Sequence, residues 1–376
     1  MRKILYVSGT RADFGLLSST LKLAHQDPGL EISVCVTGMH LAPGYGNTVN
    51  EIEESGLRIC DRIPVLLEDT SGASMARALA DELAGMIPVF EKERPDLVLL
   101  LGDRGEMLAG ALAAIHLNLP VVHIHGGERS GTVDEPVRHA ISKLAHYHFA
   151  ATENSQKRLI QMGEAEENIF ITGAPGLDGL KSLAQKSREQ LCSELNFDSN
   201  VPLALVLFHP VLAEEAAAGD QITCLMDTLQ MCKTQSVALM PNSDAGGNRI
   251  RSALEKYRGK EGVNLQVHLP RIDFVSLMKN ADIMVGNSSS GIIEAATFGT
   301  PVVNVGQRQQ HRERNANVID VPVEPTAIAN AVRQAFTRGR FPEKNIYGNG
   351  DAGTRIVDLL KTLPITPELL NKTNAY

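Results

Sequence analysis

Short apolar runs without polar alternation recur along the chain at residues 4–7, 32–36, 97–101, 121–124 and 148–151, and more weakly at 169–172. Each stops at Gly, Pro or a polar cluster, the pattern of strands covered on both faces. Between them apolar residues fall at helical spacing, as over 71–90, over 137–145, and at Met107, Leu108, Ala111, Leu112 and Ile115. Strand alternating with helix predicts a parallel α/β sheet. Residues 176–200 are polar, helix-prone and end in turn formers, so they read as a linker. The alternation then restarts, with strands expected at 203–208, 237–240, 265–268, 283–285 and 302–305. Two doubly wound units, 1–175 and 201–349, therefore stand in series with a cleft between them, without a residue-level repeat. In the tail, 350–376, Arg355, Ile356, Leu359, Leu360 and Leu363 fall at helical spacing, a face that could dock on either unit.

The composition narrows the possibilities. With 376 residues, 43% hydrophobic and 21% charged, the chain is ordinary globular material with room for two domains. A net charge of -8 argues against a general nucleic-acid binder, which needs many Lys and Arg contacts to phosphates. A small anion is still accessible to local cations at Arg11, Arg104, and Arg308 with Arg312. The five cysteines, Cys35, Cys60, Cys192, Cys224 and Cys232, form no CxxC pair and read as reduced thiols of a cytoplasmic protein. The first apolar run is too short for a signal peptide, and none approaches the roughly 20 residues that span a membrane.

The chemistry concentrates just past the strand ends, where open α/β sheets bind ligands. Residues 102–139 hold Asp103, Arg104, His123, His125, Glu128, Asp134, Arg138 and His139. His123 and His125 are i and i+2 on a strand and share a face, so with Asp103 they could hold a metal. The glycines at 126 and 127 allow the alternative, His125 in the cleft and His123 packed inside. Asp134, beside Pro136, is either an acid/base group or a helix cap. His146 and His148 read as strand residues. The GTRADFG loop offers a helix N-terminus with Arg11 to an anion, or is a turn capped by Asp13; neither GxGxxG nor a P-loop is present. GNSSSG brings Ser288, Ser289, Ser290 and Gly291 to a strand end, a nest suited to a diphosphate. Glu294 behind it could bind ribose hydroxyls or complete a cap. His209, in FHPV, could neutralise phosphate or donate a proton, or be a hydrogen-bonded junction residue. Asn242, in PNSDAGG, lies on the same expected side.

Taken together, GTRADFG, GDRGE, HIHGGERSGTVDEPVRHAISKLAHYH, FHPV, PNSDAG and GNSSSGIIEAATFGTPVVNVGQRQ resemble the hydrolysing UDP-N-acetylglucosamine 2-epimerases of sialic acid biosynthesis, in order from Gly9 to Gln309. The resemblance implies a GT-B-like fold of two facing Rossmann-like domains, with the nucleotide mainly on the second and the final helix crossing back to the first. It implies conversion of UDP-N-acetylglucosamine and water to N-acetylmannosamine and UDP. Loss of UDP acidifies the hydrogen on sugar carbon 2, a carboxylate completes elimination to a glycal, and water adds.

By the same resemblance Asp103 and Asp134 match acid/base positions, and His209 matches a histidine near the leaving diphosphate. Arg11, Arg104, Ser288, Ser289, Glu294 and Arg308 match nucleotide or phosphate contacts, a substrate set that Asn242, Arg271, Ser290 and Gly291 complete. Neither a metal nor another cofactor is implied, because cations and the serine nest can stabilise the leaving group. The expected partner is the nucleotide sugar, with no nucleic acid or membrane, in a homodimer or homotetramer. One departure stands out. His125 occupies a position where many relatives carry Glu, so either it or Glu128 supplies the missing acid/base function, or it marks a subgroup. That subgroup would act on a UDP-linked 2,4-diacetamido-trideoxyhexose, as in legionaminic acid synthesis, or on a GDP-linked sugar such as GDP-N-acetylglucosamine. The rival classes are a nonhydrolysing epimerase, a GT-B glycosyltransferase, a metal-dependent hydrolase and a silent sugar-nucleotide binder.

Overall fold

The computed structural model describes residues 1–67 and 71–376. Its first sheet contains β1 (Arg2–Ser8), β2 (Leu30–Thr37), β3 (Arg58–Ile63), β4 (Leu97–Leu101), β5 (Val121–Ile124), β6 (Tyr147–Ala150) and β7 (Ile169–Ile171). They lie in the order β3-β2-β1-β4-β5-β6-β7, and every pairing is parallel. The second sheet contains β8 (Leu203–Leu207), β9 (Gln235–Leu239), β10 (Val263–Gln266), β11 (Ile283–Gly286), β12 (Val302–Val305) and β13 (Val318–Val321). Its order, β10-β9-β8-β11-β12-β13, is parallel throughout. These are two parallel-sheet α/β domains in a GT-B-like arrangement.

Alternation along β1 shows why a parallel sheet needs helices on both sides. Ile4 and Tyr6 enter one core with the helix Arg11–Gln26, while Leu5 and Val7 enter another with the helices Gly72–Glu93 and Gly105–His116. The sequence pattern missed β3 and β13 and placed β10 two residues late. β3 and β10 are edge strands, and so is β13. Each is open on one side, so polar or charged residues interrupt the apolar run, Arg58, Asp61 and Arg62 in β3, Asn264 in β10 and Asp320 in β13.

Residues 176–200 carry two short helices, Leu180–Leu183 and Arg188–Leu195, whose Leu180, Leu191 and Cys192 are buried in the core of the second domain. From the tail, the helix Ala352–Thr362 packs Ile356, Val357 and Leu360 against Phe14, Leu17 and Leu21 of the first domain. The chain thus passes between domains twice, and the two crossings touch. The Ala174 N–H donates to the Tyr347 carbonyl at 2.8 Å, and the Ala352 N–H donates to Asp178 Oδ1 at 3.0 Å. Gly173 and Gly348 take φ of 84° and 130° there, and a side chain on Gly173 would press on the Tyr347 carbonyl. Among the described residues no helix is long and apolar enough to cross a membrane.

Candidate active site

Strand order reverses between β1 and β4 in one sheet and between β8 and β11 in the other, so both switch points open onto one crevice. The loops after those four strands line a cleft between the two domains. They bring Arg11 after β1, Asp103 and Arg104 after β4, His209 after β8, and Ser288, Ser289 and Ser290 after β11 to its wall. Asp134, Asn242, Arg271, Glu294 and Arg308 complete the sequence-predicted residues that line it. Gly291, His125 and Glu128 do not.

The first loop is organised by Asp13. Its carboxylate accepts from Tyr6 Oη at 2.9 Å, Ser8 Oγ at 2.5 Å and the Thr10 N–H at 2.6 Å, and with Thr10 it forms a capping box on the helix Arg11–Gln26. Asp13 is therefore the cap, and Arg11 is free to face the cleft. Arg11 Nη1 donates to His268 Nδ1 at 2.8 Å, and His268 Nε2 reaches Glu51 Oε1 at 2.6 Å. Burial lowers the Arg11 pKa, against the pull of Glu51.

Arg104 joins the domains. It donates to Glu106 Oε1 at 3.0 Å and forms an ion pair with Asp244 Oδ1, across the cleft, at 3.2 Å. Burial lowers its pKa, but Glu106 and Asp244 outweigh that and raise it. Asp244 continues the chain, accepting from Asn242 Nδ2 at 2.6 Å, and the Asn242 N–H approaches His209 Nδ1 at 3.5 Å. An acceptor role for Nδ1 puts the His209 proton on Nε2, an assignment that rests on the hydrogen-bond network. Burial, followed by Arg308, pulls the His209 pKa down to about 3. The imidazole is thus a neutral donor on the cleft wall, near Arg308, Arg11 and Arg104 as well as Asp244, and suited to meet an anion.

In the serine nest, Ser288 caps the short helix Ser289–Ile293 through the Ser290 N–H, and its Oγ lies 2.9 Å from Ser290 Oγ. Glu294 is not part of that cap. It sits at the helix's far end and is paired with Arg271, which also donates to the Gly176 carbonyl at 3.2 Å.

Asp134 begins the helix Asp134–Leu144 and accepts from Thr132 Oγ1 at 2.9 Å, with Arg308 Nη2 at 3.5 Å. Arg138, one turn later and 1% exposed, pairs with Asp103. His125 and Glu128 lie behind this carboxylate. The His125 Nδ1–H donates to Glu128 Oε1, and the other oxygen of Glu128 pairs with Arg312. Burial pushes the Glu128 carboxyl up, but His125 and Arg312 outweigh it and hold the pKa at about 2. His125 has φ of 65°, the left-handed turn in which the strand breaks before Gly126. His123 packs inside with both ring nitrogens engaged, Nδ1 at 3.0 Å from Ser142 Oγ and Nε2 at 2.7 Å from the Gly102 carbonyl. Among the described residues no three His, Cys, Asp or Glu side chains converge in a metal-holding group.

The sequence reading placed the loop that holds Asp244 but singled out Asn242 there, and it missed Arg251, Tyr45 and His268. Arg251 lies over the Tyr45 ring at 4.6 Å on the cleft wall. His268 and Asp244 follow strands β10 and β9, so position past a strand end was the available signal. Arg251 and Tyr45 carried none, because their pairing joins a helix of one domain to a loop of the other.

A family model described as UDP-N-acetylglucosamine 2-epimerase matches residues 22–361. The chain is 51% identical over 376 residues, all of both chains, to a UDP-N,N'-diacetylbacillosamine 2-epimerase (hydrolyzing) of Legionella pneumophila. It is 34% identical over 341 residues, 90% of this chain and 87% of the other, to a GDP/UDP-N,N'-diacetylbacillosamine 2-epimerase (hydrolyzing) of Campylobacter jejuni. Its fold is similar to that of the UDP-GlcNAc 2-epimerase from Neisseria meningitidis bound to UDP-GlcNAc, with a TM-score of 0.81 at 21% identity over 95% of this chain and 99% of that one.

Proposed function

The chain belongs to the UDP-N-acetylglucosamine 2-epimerase family, and we propose that it is a hydrolysing 2-epimerase of a UDP-linked 2,4-diacetamido-2,4,6-trideoxyhexose. The observation that carries this reading is the full-length 51% identity to a relative named for that substrate, the alternative that His125 raised, over the UDP-N-acetylglucosamine first expected.

The diphosphate enters where Arg11, Arg104 and Arg308, the His209 Nε2–H and the serine nest converge. These fixed donors stabilise the charge that collects on UDP as the bond from sugar carbon 1 to oxygen breaks. A carboxylate removes the proton from carbon 2, giving the glycal. Water then adds its hydroxyl to carbon 1 while a proton reaches carbon 2 from the opposite face. Asp103 and Asp134 lie on the cleft wall as the two acid/base groups, and each is held by arginine. Two carboxylates in distinct settings suit one removal and one delivery.

Incubation in heavy water with the UDP-2,4-diacetamido sugar, followed by NMR, tests the proposal. The expected products are UDP and the free manno-configured sugar carrying deuterium at carbon 2, formed with a higher kcat/KM than from UDP-N-acetylglucosamine. A product still bound to UDP would overturn hydrolysis, absence of deuterium would overturn elimination, and preference for UDP-N-acetylglucosamine would overturn the substrate.

A further inference from the structure

We propose that Arg312 is a positioning residue that joins domain closure to the acid/base apparatus, crossing from the second domain to the Asp103 carboxylate and held by the buried His125–Glu128 pair. The inference rests on Asp103 acting in the proposed reaction. Three observations carry it. Arg312 does not line the cleft, yet its guanidinium is 3.8 Å from Asp103 Oδ2 and pairs with Glu128, at 8% side-chain exposure. Asp103 is gripped from the other side by Arg138, whose second contact is the Glu128 carbonyl at 3.2 Å. His125, first read as a possible acid/base group, is turned from the cleft and donates to Glu128, leaving that carboxylate one free edge, which Arg312 takes.

The loop that supplies Arg312 also touches both the nucleotide nest and the first domain. Within its own domain, Arg308 and Gln309 donate to the Asn287 carbonyl at 3.2 and 3.1 Å, and Asn287 clasps the His209 backbone. Across the interface, the Gly131 N–H donates to the Arg308 carbonyl at 3.1 Å, and Thr152 and Asn154 hold Glu313. Ligand at the nest and a carboxylate on the facing domain therefore share one segment of chain. Opening the cleft would take Arg312 from both carboxylates, leaving Glu128 with His125 and Asp103 with Arg138, so these contacts favour closure.

The test compares Arg312→Met, Arg312→Lys and the double variant Arg312→Met/Glu128→Gln, which avoids a bare buried carboxylate should the single variant fold poorly. Arg312→Met is expected to lower kcat about 100-fold, with KM and the UDP dissociation constant within about threefold, because it removes orientation and not a nucleotide contact. Arg312→Lys should recover about tenfold of that loss, since the cation returns without its planar fork. An unchanged kcat, or an equal loss of UDP affinity, overturns the proposal. If the parent protein turns over no sugar nucleotide, the functional reading fails on its own. Carboxyl 13C NMR of the UDP complex, with Asp103 assigned by its loss in Asp103→Asn, then decides the point. The Asp103 resonance should move in both Met variants, and a resonance unmoved in both overturns the contact.

Discussion

At the scale of single residues, Asp103 and His125 show how position and role come apart. Both stood out in the sequence as titratable groups at strand ends, but only Asp103 faces the cleft. The difference lies in one left-handed residue, φ of 65° at His125, which no hydrophobic pattern encodes. Asp103→Asn is expected to lower kcat about 1,000-fold while UDP binding by calorimetry changes less than about threefold. Comparable losses in both would place Asp103 among the nucleotide contacts instead.

Acid stability also belongs at this scale. Burial holds His123 and His209 at about 3 and His146 at about 4, against 6.5 in the unfolded chain. As pH falls from 6.5 towards 4, the unfolded state takes up protons that the native state refuses, so stability declines. Glu128, lowered to about 2 from 4.5, adds a stabilisation that is complete above 4.5 and disappears as pH falls through 2. Urea midpoints should therefore drop between pH 7 and 5. A midpoint constant over that range would mean that these histidines are not held neutral.

Among elements, the helix Asp134–Leu144 carries the site at one end and an anchor at the other. Asp134 opens it, Arg138 lies one turn on, and Lys372 from the chain's tail donates to the carbonyls of Ser142, Lys143 and Ala145 at 3.1, 2.9 and 2.6 Å. These are carbonyls that the helix cannot satisfy itself, at the negative end of its dipole. Lys372→Met should cost about 1–2 kcal/mol by urea denaturation, and no loss would show the tail to be dispensable. The central strands were legible because both their faces are buried, whereas β3, β10 and β13 were lost or displaced because edges tolerate polar and charged residues. The tail's contact with this helix was illegible for another reason: a lysine capping carbonyls some 230 residues away leaves no local pattern.

For the molecule as a whole, the relation of the domains matters most. The sequence carried both sheets and the facing loops, since strand ends locate ligand sites in this class of fold. It could not carry Arg104 to Asp244 or Arg251 to Tyr45, pairs set by how the domains dock. Because the cleft draws on both sheets, UDP should slow hydrogen exchange in the loop after β1 and in the serine nest together. Protection of the nest alone would confine the nucleotide to one domain. The two adjoining passages of chain, tied at Ala174 and Tyr347, bear on the motion that closes the cleft. Like the paired pins of a door, they leave swinging easy and twisting hard. Dyes on opposite domains should therefore trace one arc, whatever occupies the doorway.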